Sequence, residues 1–214
     1  DDVPTLINTI NYGKQTIDDT DIEAVSEVLK ENKFLTTGPR VSEFERKICE
    51  FVGYDFSKCK NFLDFGCGVG RIVVNLPCSV ENVNCVDFSQ AHLKETEKNI
   101  RINSQLEKYS TFLIKKFDDI YKLPNNQDII HSFIVLQHNT PPIIEKTIEN
   151  LLNILSPSGL AILHIPITKS NYEFEVNDYL IKEDSGKTME MHILPKSNLY
   201  KIAKRNNSRI AYSF

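Results

Sequence analysis

The chain has 214 residues, with 25 Lys and Arg against 29 Asp and Glu and a formal net charge of −4. A hydrophobic fraction of 41% and a charged fraction of 25% are those of an ordinary globular domain with at most a short appendage, which excludes a disordered tail or a fibre. The charge balance supplies no large basic footprint for nucleic acid, and no apolar run approaches the ~18 residues that a membrane span needs.

Taken in chain order, residues 1–55 stand apart, with twelve acids and six bases giving a local charge of −6. There is no basic-then-apolar leader. Thr20-Asp21-Ile22-Glu23 has the form of a capping box, and Ile22, Val25 and Leu29 then fall on one helical face. Phe34 to Arg40 reads as a loop broken at Gly38-Pro39. A second helix is expected over Val41, Phe44, Ile48 and Phe51, ended by Gly53. Isolated helices of this length are marginal in water, so their apolar stripes need a surface to pack on. The expectation is a semi-independent helical arm that adds no contact to the site of the domain that follows.

From Asn61 the pattern changes to strands alternating with helices. Strands are expected at Asn61–Phe65, Val83–Val86, Thr111–Ile114, Asp128–Leu136 and Gly159–Ile165. The fourth is apolar at nearly every position, as a strand buried on both faces should be. Ala91–Leu106 reads as a mostly polar helix. Ile143–Leu155 reads as a helix with Ile144, Ile148, Leu151 and Leu155 on one side. Residues 167–194 are irregular and read as a lid or insertion, Lys196–Arg205 as a last helix, and Arg209–Phe214 as a sixth strand. This alternation predicts an α/β fold with a doubly wound, mostly parallel sheet over residues 56–214.

Cys49, Cys59, Cys67, Cys78 and Cys85 are odd in number and irregularly spaced, and none forms Cys-x-x-Cys. A structural zinc site wants close ligand pairs, so no metal is expected. Reduced thiols and a cytoplasmic location follow.

The informative stretch is Leu63-Asp64-Phe65-Gly66-Cys67-Gly68-Val69-Gly70, a strand running into a glycine-rich turn. Glycine accepts positive φ and has no Cβ to hold a ligand off the backbone. A dinucleotide fingerprint begun at Gly66 would need glycine at position 71, which is Arg71. The pattern acid-x-Gly-x-Gly-x-Gly suits instead a ligand without a pyrophosphate, whose amino-acid moiety meets the turn and the acid. Asp87 ends the second strand, at the switch-point crevice of a doubly wound sheet, where a carboxylate can accept both hydroxyls of a ribose.

Asp64–Gly70, Asp87-Phe88, Asp118-Asp119, the strand with Gln137-His138, and Leu155-Ser156-Pro157-Ser158-Gly159 resemble successive motifs of class I S-adenosylmethionine-dependent methyltransferases, a Rossmann-like family. The resemblance covers about residues 56–214. It implies that S-adenosyl-L-methionine is the cofactor. By this likeness Asp64 and the glycines Gly66, Gly68 and Gly70 hold its methionine end, with Phe65 and Cys67 in the same turn. Asp87 would hold the ribose and Phe88 lie against the adenine. Asp118 or Asp119 would bond the adenine amino group, with the spacing to Leu123-Pro124 favouring Asp119. Gln137 would hydrogen-bond cofactor or substrate. The family usually adds a seventh, antiparallel strand beside the fifth, and the pattern here stops at the sixth.

The N-terminal segment resembles a different family. Tyr12-Gly13-Lys14-Gln15, Asp18 to Lys30 and Phe34-Leu35-Thr36-Thr37-Gly38-Pro39 are similar to the opening of DegT-type sugar aminotransferases. The likeness ends near Asp55 and includes nothing that would hold pyridoxal phosphate, so no aminotransferase activity is carried over. It hints at carbohydrate biosynthesis.

The expected activity is therefore methyl transfer to a small molecule, foremost O-methylation of a sugar, nucleotide-sugar or related metabolite, with N-methylation of a small amine open. The competing expectation is an inactive or fragmentary fusion, or a cofactor-binding module. His138, after the fourth strand, is the candidate base for a hydroxyl acceptor. His164 and His192 are weaker candidates for that role. Cys67 reads as a small residue that fits the turn. Lys196, Lys201, Lys204, Arg205 and Arg209, with no acid in the last 24 residues, read as a solvated helix face.

Overall fold

The computed structural model describes residues 19–31, 55–76, 79–104, 106–181 and 190–211. The chain divides into two compact units, 1–51 and 52–214.

In the first unit the described element is helix α1, Asp19–Glu31. It begins ahead of the expected cap, so Thr20 lies inside the helix; Asp19 instead places its negative charge in the first turn, where the helix dipole favours it. Ile22 and Val25 are exposed. The expected helix over Val41 to Phe51 lies outside the described residues.

The second unit is built on five parallel strands in the order β3-β2-β1-β4-β5. They are β1 (Asn61–Phe65), β2 (Asn82–Asp87), β3 (Tyr109–Leu113), β4 (Gln127–Ser132) and β5 (Leu155–Leu163). Helices α2 (Gln90–Asn103), α3 (Pro141–Asn153), the short α4 (Val176–Ile181) and α5 (Lys196–Arg205) complete it. Alternation along each strand sends side chains to two cores. Leu63, Phe65, Val86 and Ile130 pack on Ile144, Ile148 and Leu151 of α3 and Ile202 of α5. Phe62, Val83, Cys85 and Ile129 pack on Leu93 and Ile100 of α2. No helix among the described residues is long and apolar enough to cross a membrane.

The expected alternation is present, and β1 and α5 have the expected bounds. Other ends differ. β2 and β3 are each extended or shifted by one or two residues. α3 starts two residues early because Pro141 and Pro142, which look like breakers, suit the first turn of a helix, where no N–H is needed. β4 stops at Ser132 and not at Leu136. Ile134 turns to φ +58°, a left-handed conformation that a β-branched residue adopts only under constraint, and Leu136–His138 coil into one 3-10 turn. Phe133 and Ile134 are consequently 58% and 52% exposed. β5 begins earlier than expected, because Leu155 already pairs with Gln127 and the next four residues bulge out before Leu160 meets Ile129. The sixth strand is not formed over 209–211, where the chain leaves α5 through Asn207 at φ +50° into irregular backbone; residues 212–214 lie outside the described residues.

Asp128 ties the amino ends of three strands together. Its Oδ2 accepts from the N–H groups of Lys60 and Asn61, both at 2.9 Å, and its Oδ1 from the Ser156 hydroxyl at 2.9 Å. Burial pushes this carboxyl up, but the Asn61, Lys60 and Ser156 donors outweigh it and hold the group below its ordinary value. A lowered native value means stability that is present above the ordinary carboxylate range and lost as pH falls through the native value. Asp128→Asn is expected to lose about 1–2 kcal/mol at pH 7. In urea titrations the gap to wild type should narrow as pH falls below the ordinary carboxylate range; a gap that stays constant with pH would contradict the tie.

Candidate active site at the carboxyl edge of the sheet

The turn after β1 is shaped by three left-handed glycines, Gly66 (φ +81°), Gly68 (φ +56°) and Gly70 (φ +82°). Each has a different surrounding. A Cβ on Gly66 would stand 2.2 Å from a methyl of Val135, and one on Gly70 would stand 3.0 Å from the Thr96 methyl. A Cβ on Gly68 would meet nothing within 4 Å. Gly66 and Gly70 are thus glycine because protein fills the space, whereas Gly68 faces an opening that a ligand can occupy.

Hydrogen bonds fix the turn from both sides. The N–H groups of Gly66 and Cys67 donate to the Val86 carbonyl at 2.7 and 3.0 Å, and Gly68 N–H donates to Asp87 Oδ2 at 2.9 Å. From α2, the Thr96 hydroxyl donates to Gly68 O at 2.8 Å and the Asn99 amide to Val69 O at 2.9 Å. His92 lies one turn earlier on the same face, with Nδ1 3.2 Å from Asp87 Oδ1. His92, Thr96 and Asn99 are spaced i, i+4, i+7, and that stripe was the available signal; in a helix read as mostly polar it looks like a solvated face.

Asp87, buried at the end of β2, also accepts from Ser89 N–H at 2.8 Å. A carboxylate has about four acceptor positions, and three donors leave one for a ligand hydroxyl; the exposed His92 can yield a second. Beside it, Phe88 packs edge-on against Phe65, with ring centres 5.9 Å apart, and lines a cavity of about 300 Å³ with Ile114, Phe117, Ile120, Asn139 and Ile143. This is an apolar slot of a size for a flat heterocycle.

Asp118 and Asp119 part ways. Asp119 Oδ2 accepts from the N–H groups of Lys115 and Lys116, and its Oδ1 pairs with Lys122 Nζ at 2.7 Å. The Lys122 hydrogen bond, then those backbone donors, pull its carboxyl down to about 2. Asp119 holds its own loop closed. Asp118 is exposed, and its ion pair with Lys116 is a long one, 3.7 Å.

After β4, Gln137 is 1% exposed and its Oε1 has no hydrogen-bond partner among the described residues, an orphaned acceptor of the kind that a bound donor satisfies. Ser132 Oγ and His164 Nδ1, at the ends of β4 and β5, are also buried without partners among the described residues. His138 Nδ1 lies 3.0 Å from the Glu190 carbonyl oxygen. A carbonyl only accepts, so Nδ1 carries the hydrogen and the neutral ring keeps its lone pair on Nε2. His192 is engaged elsewhere, between Tyr172 Oη at 2.8 Å and Glu190 Oε2 at 3.0 Å.

Sequence reasoning gave no role to His131, yet its Nδ1 lies 2.8 Å from Asp64 Oδ1 across neighbouring strands. The signal was a histidine directly after Ile129 and Ile130, in a segment read as a mostly apolar strand. Among the described cysteines, Cys59, Cys67 and Cys85 are buried and free. Burial pushes the Cys59 thiol up to about 12. No group of three or more His, Cys, Asp and Glu among the described residues could hold a metal ion.

A family model described as a methyltransferase domain matches residues 62–159. A second, the DegT/DnrJ/EryC1/StrS aminotransferase family, matches residues 15–59. Over 44 residues the chain is 46% identical to a UDP-4-amino-4,6-dideoxy-N-acetyl-beta-L-altrosamine transaminase of Campylobacter jejuni; that stretch is 21% of this chain and 11% of the transaminase. Among solved structures, a S-adenosylmethionine-dependent methyltransferase from Clostridium acetobutylicum aligns over 87% of this chain and 86% of its own, with a TM-score of 0.52 and 17% identity. Magnesium protoporphyrin IX methyltransferase from Synechocystis, with SAH bound, aligns over 91% and 80%, with a TM-score of 0.50 and 15% identity. At these identities the likeness is one of fold.

The turn yields a test that needs no ligand. Gly66→Ala forces both φ strain and a clash with Val135 and is expected to destabilise the domain by roughly 2–4 kcal/mol. Gly68→Ala has only the strain to bear, about 1–2 kcal/mol. Equal losses in chemical denaturation would show that the space around the two glycines does not differ as described.

Proposed function

We propose that the protein is an S-adenosylmethionine-dependent methyltransferase that transfers a methyl group to a hydroxyl of a small molecule, most concretely a sugar or nucleotide-sugar; the match of residues 62–159 to a methyltransferase domain supports this reading. The observation that carries the hydroxyl is the tautomer of His138, which leaves Nε2 free to take a proton at the carboxyl edge of β4. The sugar rests on the partial aminotransferase likeness of residues 15–59, whose relative is named for a nucleotide-linked amino sugar.

The residues fit the cofactor, given the open space at Gly68, the acceptor capacity of Asp87 and the orphaned Gln137 oxygen. When bound, S-adenosylmethionine supplies a methyl group on a sulfonium whose leaving group is a neutral thioether. Asp64 and the Gly66–Gly70 turn hold the amino-acid end, with Phe65 and Cys67 fixing the turn from beneath. Asp87 accepts from the ribose. Phe88 covers the adenine in the cavity with Ile114 and Phe117, and Asp118, held only loosely by Lys116 where both oxygens of Asp119 are used, accepts from the adenine amino group. Gln137 takes a donor from cofactor or acceptor. The protein's main work is then alignment, and a base is needed only because the acceptor is a hydroxyl.

Calorimetry with S-adenosylmethionine, its demethylated product and NAD tests the site. The first two should bind; binding of NAD alone sinks the reading. Asp87→Ala should weaken cofactor binding by about 1.5–3 kcal/mol. A cofactor-consumption screen against nucleotide-sugars and free glycans identifies the acceptor. On that acceptor, His138→Ala is expected to lower turnover by roughly a hundredfold or more with cofactor affinity intact; unchanged turnover removes His138 from the mechanism. The aminotransferase-like stretch also favours a second reading, a cofactor-binding module fused to a truncated enzyme start, which binding without turnover across the screen would support.

A further inference from the structure

We propose that His131 is a positioning residue that holds the Asp64 carboxylate in place to receive the α-ammonium group of S-adenosylmethionine, an inference that rests on the cofactor reading above. Asp64 is 2% exposed at the end of β1, where a carboxylate without a donor is costly. Its partner among the described residues is His131, with Nδ1 2.8 Å from Oδ1. A carboxylate only accepts, so Nδ1–H is the donor. The two residues face each other in the β1–β4 register.

The imidazole is largely buried and has two near-parallel aromatic neighbours, Phe62 with ring centres 6.4 Å apart and planes 22° from parallel, and Phe133 at 6.4 Å and 19°. With these neighbours and the 2.8 Å bond, its N–H is directed at one carboxylate oxygen. Oδ1 is taken, and Oδ2 is left to the ligand. Without that donor, the buried carboxylate is free to rotate, which takes Oδ2 away from the place where a cationic group would sit. Asp87 is the internal contrast. Backbone N–H groups of Gly68 and Ser89 hold it, and its histidine, His92, is 54% exposed and at the longer distance of 3.2 Å. His131 therefore matters to its carboxylate in a way that His92 does not.

The test compares three ligands by calorimetry: S-adenosylmethionine, S-adenosylhomocysteine, and 5′-methylthioadenosine, which has the nucleoside and sulfur but no amino-acid end. His131→Leu should weaken the first two about tenfold, in the range for a hydrogen bond to a charged group, and leave 5′-methylthioadenosine within about twofold. His131→Asn, whose amide N–H replaces Nδ1–H, should recover most of the loss. His131→Gln, whose amide replaces Nε2, should not; this pair keeps the test alive if the leucine variant does not fold. Equal weakening of all three ligands, or none, overturns the positioning role alone. Wild-type protein that binds none of them overturns the cofactor reading and this role together.

Discussion

Three backbone positions between β1 and α2 must adopt left-handed φ in a space where two of them have no room for a side chain. That turn sets the terms for the rest of the domain. Its carbonyls at Gly68 and Val69 point at α2 and are met by Thr96 and Asn99; its N–H groups point at β2 and are met by Val86 and Asp87. The helix and the second strand are thereby registered against the turn by polar bonds, while Leu93 and Ile100 supply the apolar contact behind them. Because a buried backbone group without a partner costs as much as a lost hydrogen bond, the arrangement tolerates little drift.

The same economy shapes the electrostatics. Asp64 and Asp87 are both buried near strand ends, and each has a donor aimed at it from another segment of the fold, His131 of β4 for Asp64 and the Gly68 N–H for Asp87. Buried carboxylates without such donors would be costly, and each keeps acceptor positions that its donors do not use. Asp119 shows the opposite use of a carboxylate. Spent on Lys122 and two backbone donors, it closes a loop and has nothing left to offer.

How much of this was legible in the sequence depended on whether a feature is local. β1 and α5 were readable to the residue because each is punctuated at both ends, β1 by its glycine turn and α5 by Pro195 and the Asn206-Asn207 pair. The order of strands and helices followed from periodicity. The glycine turn and Asp87 were evident from spacing alone. The end of β4 was not, because Phe133 and Ile134 are as apolar as a strand interior, and only the backbone twist at Ile134 shows that they leave the sheet. Spacing leaned to Asp119 over Asp118, and it could not show that both Asp119 oxygens are spent on Lys115, Lys116 and Lys122. His131, Thr96 and Asn99 were hidden for a like reason. Their partners lie 28 to 67 residues away in the chain, and no local pattern encodes a pairing at that range.

The buried thiols have a consequence for handling the molecule. Cys85 is wholly enclosed between the sheet and α2, and Cys67, at the turn, packs its sulfur near Thr96. Hydrogen bonding with Cys67 and burial push the Cys85 thiol well above its ordinary range, so the nucleophilic thiolate is scarce and shielded. Alkylating reagents therefore reach Cys85 only when α2 lifts from the sheet, and the same motion releases the carbonyls of Gly68 and Val69. The rate at which that sulfur is labelled is thus a clock for the opening of the glycine turn, readable by mass without any substrate in hand.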